Sequence, residues 1–225
     1  HVGARVLEIG AGIGNITGWL LPRDFWLASD INPNYLHYLQ NLTASKPYLG
    51  VQRVDVERAA DFAELHGRFD TVLCLNVLEH VVDPLQALRN MHSALAPGGK
   101  LVLYVPHGQS LYSSLDEVLG HRCRYDRAML ARELATAGFE LVEERFFNRA
   151  AVPGWWWNGK VLHRRTFSRV QLKLFDLAVP LLRLVDRFLP WNGLGLVAIA
   201  RRVEESPASC VQTAAGGGGT RPPGR

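Results

Sequence analysis

A glycine-rich turn between a short apolar strand and a helix constrains this chain more than any other feature. Residues 6–15 read Val-Leu-Glu-Ile-Gly-Ala-Gly-Ile-Gly-Asn, with every second residue from position 10 to 14 a glycine. Glycine lacks a Cβ, so the backbone of such a turn can approach a ligand closely. Free N–H groups at the start of the helix point into the same turn. The pattern predicts the ligand-binding turn of a doubly wound α/β sheet.

The spacing of these glycines argues against a dinucleotide as the ligand. A dinucleotide fingerprint requires Gly-x-Gly-x-x-Gly, but the third glycine is replaced by Asn15 or Thr17, depending on which glycine opens the motif. Glu8 precedes the first glycine by two residues, and its carboxylate would repel a pyrophosphate that needs the positive end of the helix. A carboxylate there favours a ligand with a cationic end, such as an ammonium or a sulfonium.

Further apolar segments end in polar residues, as expected when the carboxyl ends of parallel strands meet at one edge of a sheet. An aspartate such as Asp30, at the end of the second strand, can accept hydrogen bonds from the hydroxyls of a ribose. Asp55 and Asn76 occupy similar positions in the next two strands. After the first strand, the predicted strands are 25–30, 51–56, 69–76, 100–105, 139–142 and 194–202.

Helical segments alternate with these strands, which predicts a parallel sheet with helices on its faces. Asn32 and Asp83 are predicted N-caps, because each precedes a proline that suits the first position of a helix. The predicted helices are 13–21, 33–43, 59–66, 83–95 and 126–137.

Together these motifs resemble those of the class I S-adenosylmethionine (SAM) dependent methyltransferases. The Glu-x-Gly-x-Gly-x-Gly run is similar to their first motif. The Asn-Val-Leu-Glu-His run at 76–80 resembles the fourth motif of small-molecule members, including the ubiquinone-biosynthesis O-methyltransferase type. The Gly-His-Arg-Cys-Arg-Tyr run at 120–125 is similar to a segment of bacterial envelope and sugar methyltransferases, some of them fused to glycosyltransferases. The resemblance covers residues 4–147 and the strand near 194–202.

The resemblance implies a doubly wound, mostly parallel seven-stranded sheet that binds SAM, releases S-adenosylhomocysteine and holds no metal. It implies that Asp55 lies beside the adenine amino group and that His80 lies near the cofactor. The predicted cofactor-binding residues are Glu8, Gly10, Ala11, Gly12, Gly14, Asn15, Asp30, Ile31, Asp55, Val56, Asn76, Val77 and His80.

The loop at 106–124 is the first candidate for acceptor binding, because loops at the carboxyl ends of strands build the active sites of such sheets. His121 or His107 is predicted to act as a general base on a hydroxyl, since histidine titrates near neutral pH. Alternatively, His121 only caps the next helix in a solvated loop. Arginines suit a phosphate or carboxylate of the acceptor. The predicted acceptor-binding residues are Tyr112, Arg122, Arg124 and Tyr125.

Residues 149–192 form a long connection before the last strand, where a minimal methyltransferase domain has a short hairpin. They contain three consecutive tryptophans at 155–157 and an amphipathic stretch at 170–189 with its charges near one helical stripe. Charge and Pro180 interrupt this stretch too much to predict a transmembrane span. Three roles stay open: peripheral membrane contact through 155–189, a lid over the active site, and an oligomer contact.

Charge and cysteine content narrow the partners and the compartment. The net charge is +4, but residues 151–225 hold 11 Lys and Arg against 4 Asp and Glu, which favours anionic lipid or a phosphorylated acceptor. No nucleic-acid-binding module is recognisable, so nucleic acid is not expected as a partner. Cys74, Cys123 and Cys210 have neither metal-ligand nor disulfide spacing, which predicts that the protein is located in the cytoplasm. If residues 155–189 contact lipid, we expect it at the inner face of the cytoplasmic membrane.

The expected organisation is a SAM-binding core at 1–148, the basic aromatic insertion at 149–192, the last strand at 193–203 and a disordered tail at 204–225. The chain starts at His1 and enters its first strand at once, which predicts a module of a longer polypeptide.

The expected activity is transfer of a methyl group to an oxygen, in a hydroxyl or a carboxylate, of a small-molecule, sugar or lipid-linked acceptor. The chain lacks the Asn-Pro-Pro-Tyr motif used on amide or base nitrogens. Two alternatives are a non-catalytic SAM-fold binding module of a larger envelope-biosynthesis enzyme and an NAD-dependent oxidoreductase.

Overall fold

The computed structural model describes residues 1–43, 46–166 and 168–203. Seven strands form one sheet in the order β3-β2-β1-β4-β5-β7-β6. The first five strands run parallel to one another, and β7 pairs antiparallel with both β5 and β6. The strands are β1 (Arg5–Ile9), β2 (Phe25–Asp30), β3 (Leu49–Arg53), β4 (Phe69–Leu75), β5 (Leu95–Pro106), β6 (Phe139–Phe147) and β7 (Gly195–Arg202). The prediction of a doubly wound, mostly parallel seven-stranded sheet is confirmed.

Helices cover both faces of this sheet. They are α1 (Asn15–Leu20), α2 (Pro33–Thr43), α3 (Pro84–Ala94), α4 (Ser114–Leu119), α5 (Arg127–Thr136), α6 (Val152–Trp156) and α7 (Arg169–Asp186). Short 3-10 segments occupy Ala59–Leu65, Leu78–His80, Gln109–Leu111 and Arg149–Ala151, and a π-helical turn covers Trp157–Val161.

The central strands are apolar on both sides because each side packs against its own layer. In β1, Leu7 and Ile9 join a core shared with β4, β5 and α3, whereas Val6 joins a second core with Trp26 and Leu39 on the opposite face. A strand buried on both faces reads as a continuous apolar run. The strand order reverses between β1 and β4, and this is where doubly wound sheets bind ligands.

Several element boundaries differ from the predicted ones. The third strand ends at Arg53 rather than 56, because the Asp55 backbone N–H donates to Asp61 Oδ2 and begins a turn. The helix predicted near 59–66 is present as a 3-10 helix, Ala59–Leu65. The first helix begins at Asn15, since Gly14 has a left-handed backbone with φ 82° at its N-cap.

The tail predicted at 204–225 lies outside the described residues. Within the described part of the chain, no helix combines the length and the apolar character needed to cross a membrane.

Both predicted N-caps are confirmed. Asp83 Oδ1 accepts a hydrogen bond from the Gln86 backbone N–H at 2.9 Å, with Pro84 as the first residue of α3. Asn32 Oδ1 accepts from the Asn34 backbone N–H at 3.0 Å at the start of α2.

We expect Asp83→Ala to lower the free energy of unfolding by about 1 kcal/mol, because it leaves a backbone donor of α3 without its side-chain acceptor. Urea unfolding of the full chain measures this change. Asp83→Asn keeps an acceptor at the cap and should stay close to the wild type. An equal loss in both variants would contradict the capping role.

Candidate active site

A cavity of about 330 Å³ opens at the carboxyl ends of β1 and β4, where the strand order reverses. It is lined by Glu8, Ile9, Gly10, Ala11, Asn15, Ile16, Leu75, Asn76, Tyr104 and Val197. Glu8, Gly10, Ala11, Asn15 and Asn76 belong to the predicted cofactor-binding set, so the sequence located this cavity.

The glycine turn has the geometry that its sequence predicts. All three glycines have positive φ angles, which side-chain-bearing residues rarely adopt. A Cβ at Gly10 would collide with Val77 Cγ2, whereas a Cβ at Gly12 would meet no atom within 4 Å. The turn is therefore packed against Val77 at Gly10 and open at Gly12, where a ligand can approach the backbone.

The Glu8 carboxylate is buried beneath this turn. Its Oε2 atom accepts hydrogen bonds from Thr17 Oγ1 at 2.5 Å and from Trp26 Nε1 at 2.9 Å. Burial raises the pKa of Glu8, and the two hydrogen bonds oppose that rise. Glu8 thus connects α1 and β2 to β1 in addition to lining the cavity, a bracing role that its sequence position did not reveal.

Asp30 is also buried and ties β2 to the glycine turn. Its Oδ2 atom accepts from the Gly12 backbone N–H at 2.9 Å, and its Oδ1 atom accepts from the Asn32 backbone N–H at 2.8 Å. A carboxylate offers further lone pairs, so these bonds leave Asp30 able to accept from a ribose hydroxyl. Ile31 follows it with an exposed side chain.

The other predicted cofactor-binding residues do not line the 330 Å³ cavity, and their cofactor contacts stay predictions: Gly12, Gly14, Asp30, Ile31, Asp55, Val56, Val77 and His80. Asp55 Oδ1 accepts from the Glu57 backbone N–H at 3.1 Å, which stabilises the turn after β3. The Val56 side chain is buried in the core.

A second group of polar side chains surrounds Asp116 on α4. Asp116 Oδ1 lies 2.9 Å from His121 Nδ1 and accepts from Arg124 Nε at 2.8 Å, while Oδ2 accepts from the Ser113 backbone N–H at 2.9 Å. Burial alone would raise the pKa of Asp116, but the hydrogen bond from His121 and the charge of Arg124 lower it. The net effect is a lowered pKa, so an ionised Asp116 fixes the proton of His121 on Nδ1 and leaves Nε2 as an acceptor.

Glu79 lies next to this group and is fully buried. Neither of its carboxylate oxygens has a hydrogen-bond partner in the described part of the chain. Its Oε1 atom is 4.0 Å from His121 Nε2, too far for a hydrogen bond. Burial raises the pKa of Glu79 to about 7. The His121 imidazole therefore lies between two carboxyl groups, of which Asp116 favours the ionised form and Glu79 the protonated form.

His80 stands beside His121, with ring centroids 5.0 Å apart. Its Nδ1 atom lies 3.1 Å from the Gly120 carbonyl oxygen, and burial lowers its pKa. The ligand atoms of Glu79, His80 and His121 lie within 4.8 Å of one another, close enough to hold a metal ion. The expectation of a metal-free site stays a prediction.

His107, the other predicted base, is buried at the end of β5. Its Nδ1 atom donates to the Gly193 carbonyl oxygen at 3.1 Å, and its ring meets the edge of Phe146 at 4.7 Å. Burial lowers the pKa of His107, which keeps its imidazole neutral near pH 7.

The predicted acceptor-binding residues divide into two groups. Arg124 and Tyr125 are almost fully buried: the Arg124 guanidinium lies 4.6 Å from the Trp155 ring, and the Tyr125 hydroxyl donates to the Leu78 carbonyl at 3.3 Å. Both side chains therefore stabilise the loop, and their contact with an acceptor stays a prediction. Tyr112 donates to the His121 carbonyl at 2.9 Å, and Arg122 is exposed; both stay predicted acceptor contacts.

Sequence reasoning missed several residues of the site. Glu79 lies within the quoted Asn-Val-Leu-Glu-His run, so an acid next to a histidine was a visible signal. Tyr104 lies inside an apolar strand, and its polar hydroxyl was a weaker signal of a site residue. The role of Asp116 depends on a tertiary contact with His121 and Arg124, which spacing along the chain does not reveal.

The profile of the methyltransferase domain family matches residues 1–144. The chain belongs to this family. It is a class I SAM-dependent methyltransferase, as its sheet order and glycine turn independently indicate.

Relatives of this methyltransferase act on different kinds of acceptor. It is 40% identical over 110 residues to a ubiquinone biosynthesis O-methyltransferase of Xanthomonas euvesicatoria, a match that covers 45% of this chain and 42% of the relative. It is 32% identical over 122 residues to a tRNA U34 carboxymethyltransferase of Dichelobacter nodosus, covering 52% of this chain and 39% of the relative. The chain therefore spans less than half the length of these curated relatives, and their names do not determine its acceptor.

Solved structures agree on the fold. A SAM-dependent methyltransferase from Mesorhizobium loti superposes with a TM-score of 0.62 at 18% identity, covering 89% of this chain and 92% of that one.

The cavity under the glycine turn fits SAM. The Glu8 carboxylate gives one wall an acidic group that suits a cationic ligand, and Gly12 leaves its backbone open in the turn that continues from Gly10 and Ala11 of that wall. If this turn holds the cofactor, Gly12→Arg should abolish the rise in melting temperature that S-adenosylhomocysteine produces, because its side chain would fill the opening. Thermal unfolding with and without this ligand measures the effect.

Gly67→Arg is the matched control for Gly12→Arg. Gly67 also has a positive φ, and a Cβ there would also meet no atom within 4 Å, but it is exposed and lies outside the cavity. It should keep the full ligand-induced shift. Retention of the shift in Gly12→Arg would show that the cofactor binds elsewhere.

The raised pKa of Glu79 predicts a pH dependence of stability. Its ordinary pKa is 4.5, and the folded value is about 7. Between these values the folded state binds more protons than the unfolded state, so the contribution of Glu79 to stability falls as the pH rises. Glu79→Gln should flatten this fall by at most about 1.4 kcal/mol per pH unit. Unfolding free energies measured from pH 4.5 to 7 test it, with exposed Glu117→Gln as control. Identical slopes in wild type and Glu79→Gln would contradict the buried, proton-binding role.

Proposed function

We propose that this methyltransferase transfers the methyl group of SAM to an oxygen of its acceptor, with His121 as the general base when that oxygen belongs to a hydroxyl. The observation that carries the proposal is the contact between His121 Nδ1 and Asp116 Oδ1 at 2.9 Å. An acid that holds one ring nitrogen leaves the other free to accept a proton, as general-base catalysis requires.

The polar group around His121 adjoins the cofactor cavity through Tyr104. Tyr104 lines that cavity, and it lies close enough to Glu79 and Arg124 for their charges to act on its pKa. Burial raises the pKa of Tyr104, the charge of Glu79 raises it further, and Arg124 opposes both. This proximity supports placing the acceptor oxygen between the cavity and His121.

The protein's part in this reaction is to hold the acceptor and take its proton. Bound SAM supplies an electrophilic methyl group on its sulfonium. Asp116 orients the His121 ring, and Nε2 takes the proton of the acceptor hydroxyl. SAM, held beside the glycine turn, would supply the methyl group to that oxygen and leave as S-adenosylhomocysteine. Glu79 is near its pKa at neutral pH and can exchange a proton with His121 afterwards. A carboxylate acceptor needs no base, and then only orientation by the site is required.

A second cavity supports an acceptor with an apolar portion. It measures about 560 Å³ and lies between α7 and the rest of the domain. Trp155 forms part of its wall, and the same ring contacts the Arg124 guanidinium. An apolar space that shares a side chain with the polar group suits a lipid-linked or prenylated acceptor better than a free sugar. The remaining lining residues are Asn148, Ala150, Ala151, Gly154, Asn158, Gln171, Leu174, Phe175, Leu182 and Leu194.

Two assays test the proposal. Radiolabelled SAM is supplied with a prenylated catechol, a polyprenyl-phosphate-linked sugar and a fatty acid, and NMR of any product locates the methyl group. Methyl on oxygen supports the proposal, and methyl on carbon or nitrogen overturns it.

For an active hydroxyl acceptor, His121→Ala should lower kcat by about 10²- to 10⁴-fold, because the hydroxyl loses its base. Its affinity for S-adenosylhomocysteine should not change. Asp116→Asn should lower kcat by a smaller factor, since the histidine stays but its orientation is lost. His37→Ala, on the exposed side of α2, is the control. Unchanged turnover in His121→Ala would remove this residue from the mechanism.

A further inference from the structure

An exposed apolar stripe runs along α7. Leu177 has 79% of its surface exposed, the highest value among the exposed large apolar side chains of the helix. Alternate spacings of four and three residues place the members of this stripe on one side of the helix. The α7 apolar stripe consists of Val170, Leu174, Leu177, Leu181 and Leu184, and Phe188 continues it in the turn that follows.

Most of this stripe faces away from the domain, and Leu174, which also lines the 560 Å³ cavity, lies at the edge of the packed side. Ala178, Val179 and Leu182 are half-buried on the inward side. Asp186 anchors the end of the helix, because its Oδ1 atom accepts from the Ala150 backbone N–H at 2.8 Å. The helix is therefore held against the domain by one apolar side, while the stripe on its other apolar side stays exposed to solvent.

The third side of α7 is cationic. Arg169, Lys173, Arg183 and Arg187 are exposed there, and Asp176 is the one acid among them. Residues 149–192 as a whole contain 8 Lys and Arg against 2 Asp and Glu. An apolar stripe with cations along its edge matches the layering of a bilayer surface, where acyl chains lie beneath anionic headgroups.

A second copy of this chain, packed against the stripe as a dimer partner, would match it less well than a bilayer surface does. The spacing also fits a coiled-coil seam, whose helices need complementary charges along its two edges. One edge here carries Lys173 and Arg187, and the opposite edge carries the uncharged Gln171, Ala178 and Val185. A two-fold partner would add cations and supply no acid opposite them.

We propose that α7 is an interfacial helix that docks this methyltransferase on an anionic lipid bilayer. The stripe enters the boundary between headgroups and acyl chains, and the cationic side contacts the lipid phosphates. At 18 residues the helix is about 27 Å long and lies flat on the surface. This docking does not depend on which atom receives the methyl group, and it is measured without methyl transfer.

Flotation of the full chain with vesicles tests the proposal. The vesicles are phosphatidylcholine alone or phosphatidylcholine with phosphatidylglycerol, each at low and high salt. We expect binding that requires phosphatidylglycerol and weakens with salt, since exposed charges are screened. Absence of binding to the anionic vesicles at low salt would overturn the proposal.

Two variants and their matched controls separate the stripe from the cations. Leu177→Ser with Leu184→Ser should weaken binding by about tenfold or more, because it removes the apolar anchor. Lys173→Gln, Arg183→Gln and Arg187→Gln together should weaken it on the order of 100-fold. Val142→Ser, exposed on β6, and the triple change Arg89→Gln, Lys100→Gln, Arg132→Gln are the controls. Equal losses in variants and controls would mean that α7 is not the docking element.

Sedimentation of the same proteins without lipid tests the competing occupant. A dimer that the two serine substitutions dissociate, together with no vesicle binding, would assign the stripe to a second copy of the chain. Each variant should keep the thermal shift with S-adenosylhomocysteine, which confirms that the domain is folded.

Discussion

The buried Glu8 carboxylate is the interaction on which the cofactor site depends. It holds Thr17 of α1 and Trp26 of β2 against β1 through one oxygen atom, and so fixes the three elements that flank the glycine turn. Asp30 then completes the turn by accepting from Gly12. A buried carboxylate is costly unless it is hydrogen-bonded, so these contacts are required as soon as Glu8 is placed inside the strand. The same arrangement leaves an acidic wall for a cationic ligand.

The second part of the site is organised by two carboxyl groups with opposite protonation preferences. Asp116 is kept ionised by His121 and Arg124, whereas burial favours the protonated form of Glu79. Pairs of acids whose environments separate their pKa values are common where protons are transferred. The imidazole between them is held in one tautomer by Asp116 and faces Glu79 with its other nitrogen. This asymmetry is the physical basis for assigning proton transfer to His121.

The sequence predicted the fold well because a parallel sheet repeats a simple pattern. Runs of apolar residues predicted the strands, and N-cap residues such as Asn32 and Asp83 predicted where helices begin. The glycine turn predicted the place of the 330 Å³ cavity, since its backbone conformation is a local property. The polar group at Asp116 was not predictable, because it depends on contacts between a short helix and the following loop. The burial of Arg124 and Tyr125 was not predictable either, because it comes from tertiary packing and spacing along the chain does not reveal it.

Hydrogen exchange of the backbone amides, with and without S-adenosylhomocysteine, tests the central claim most directly. The cofactor is placed in the cavity where β1 meets β4, so its product should slow exchange at residues 9–16 and 75–77 and beside Tyr104. Protection confined to the segment beneath α7, with none in the glycine turn, would contradict this placement.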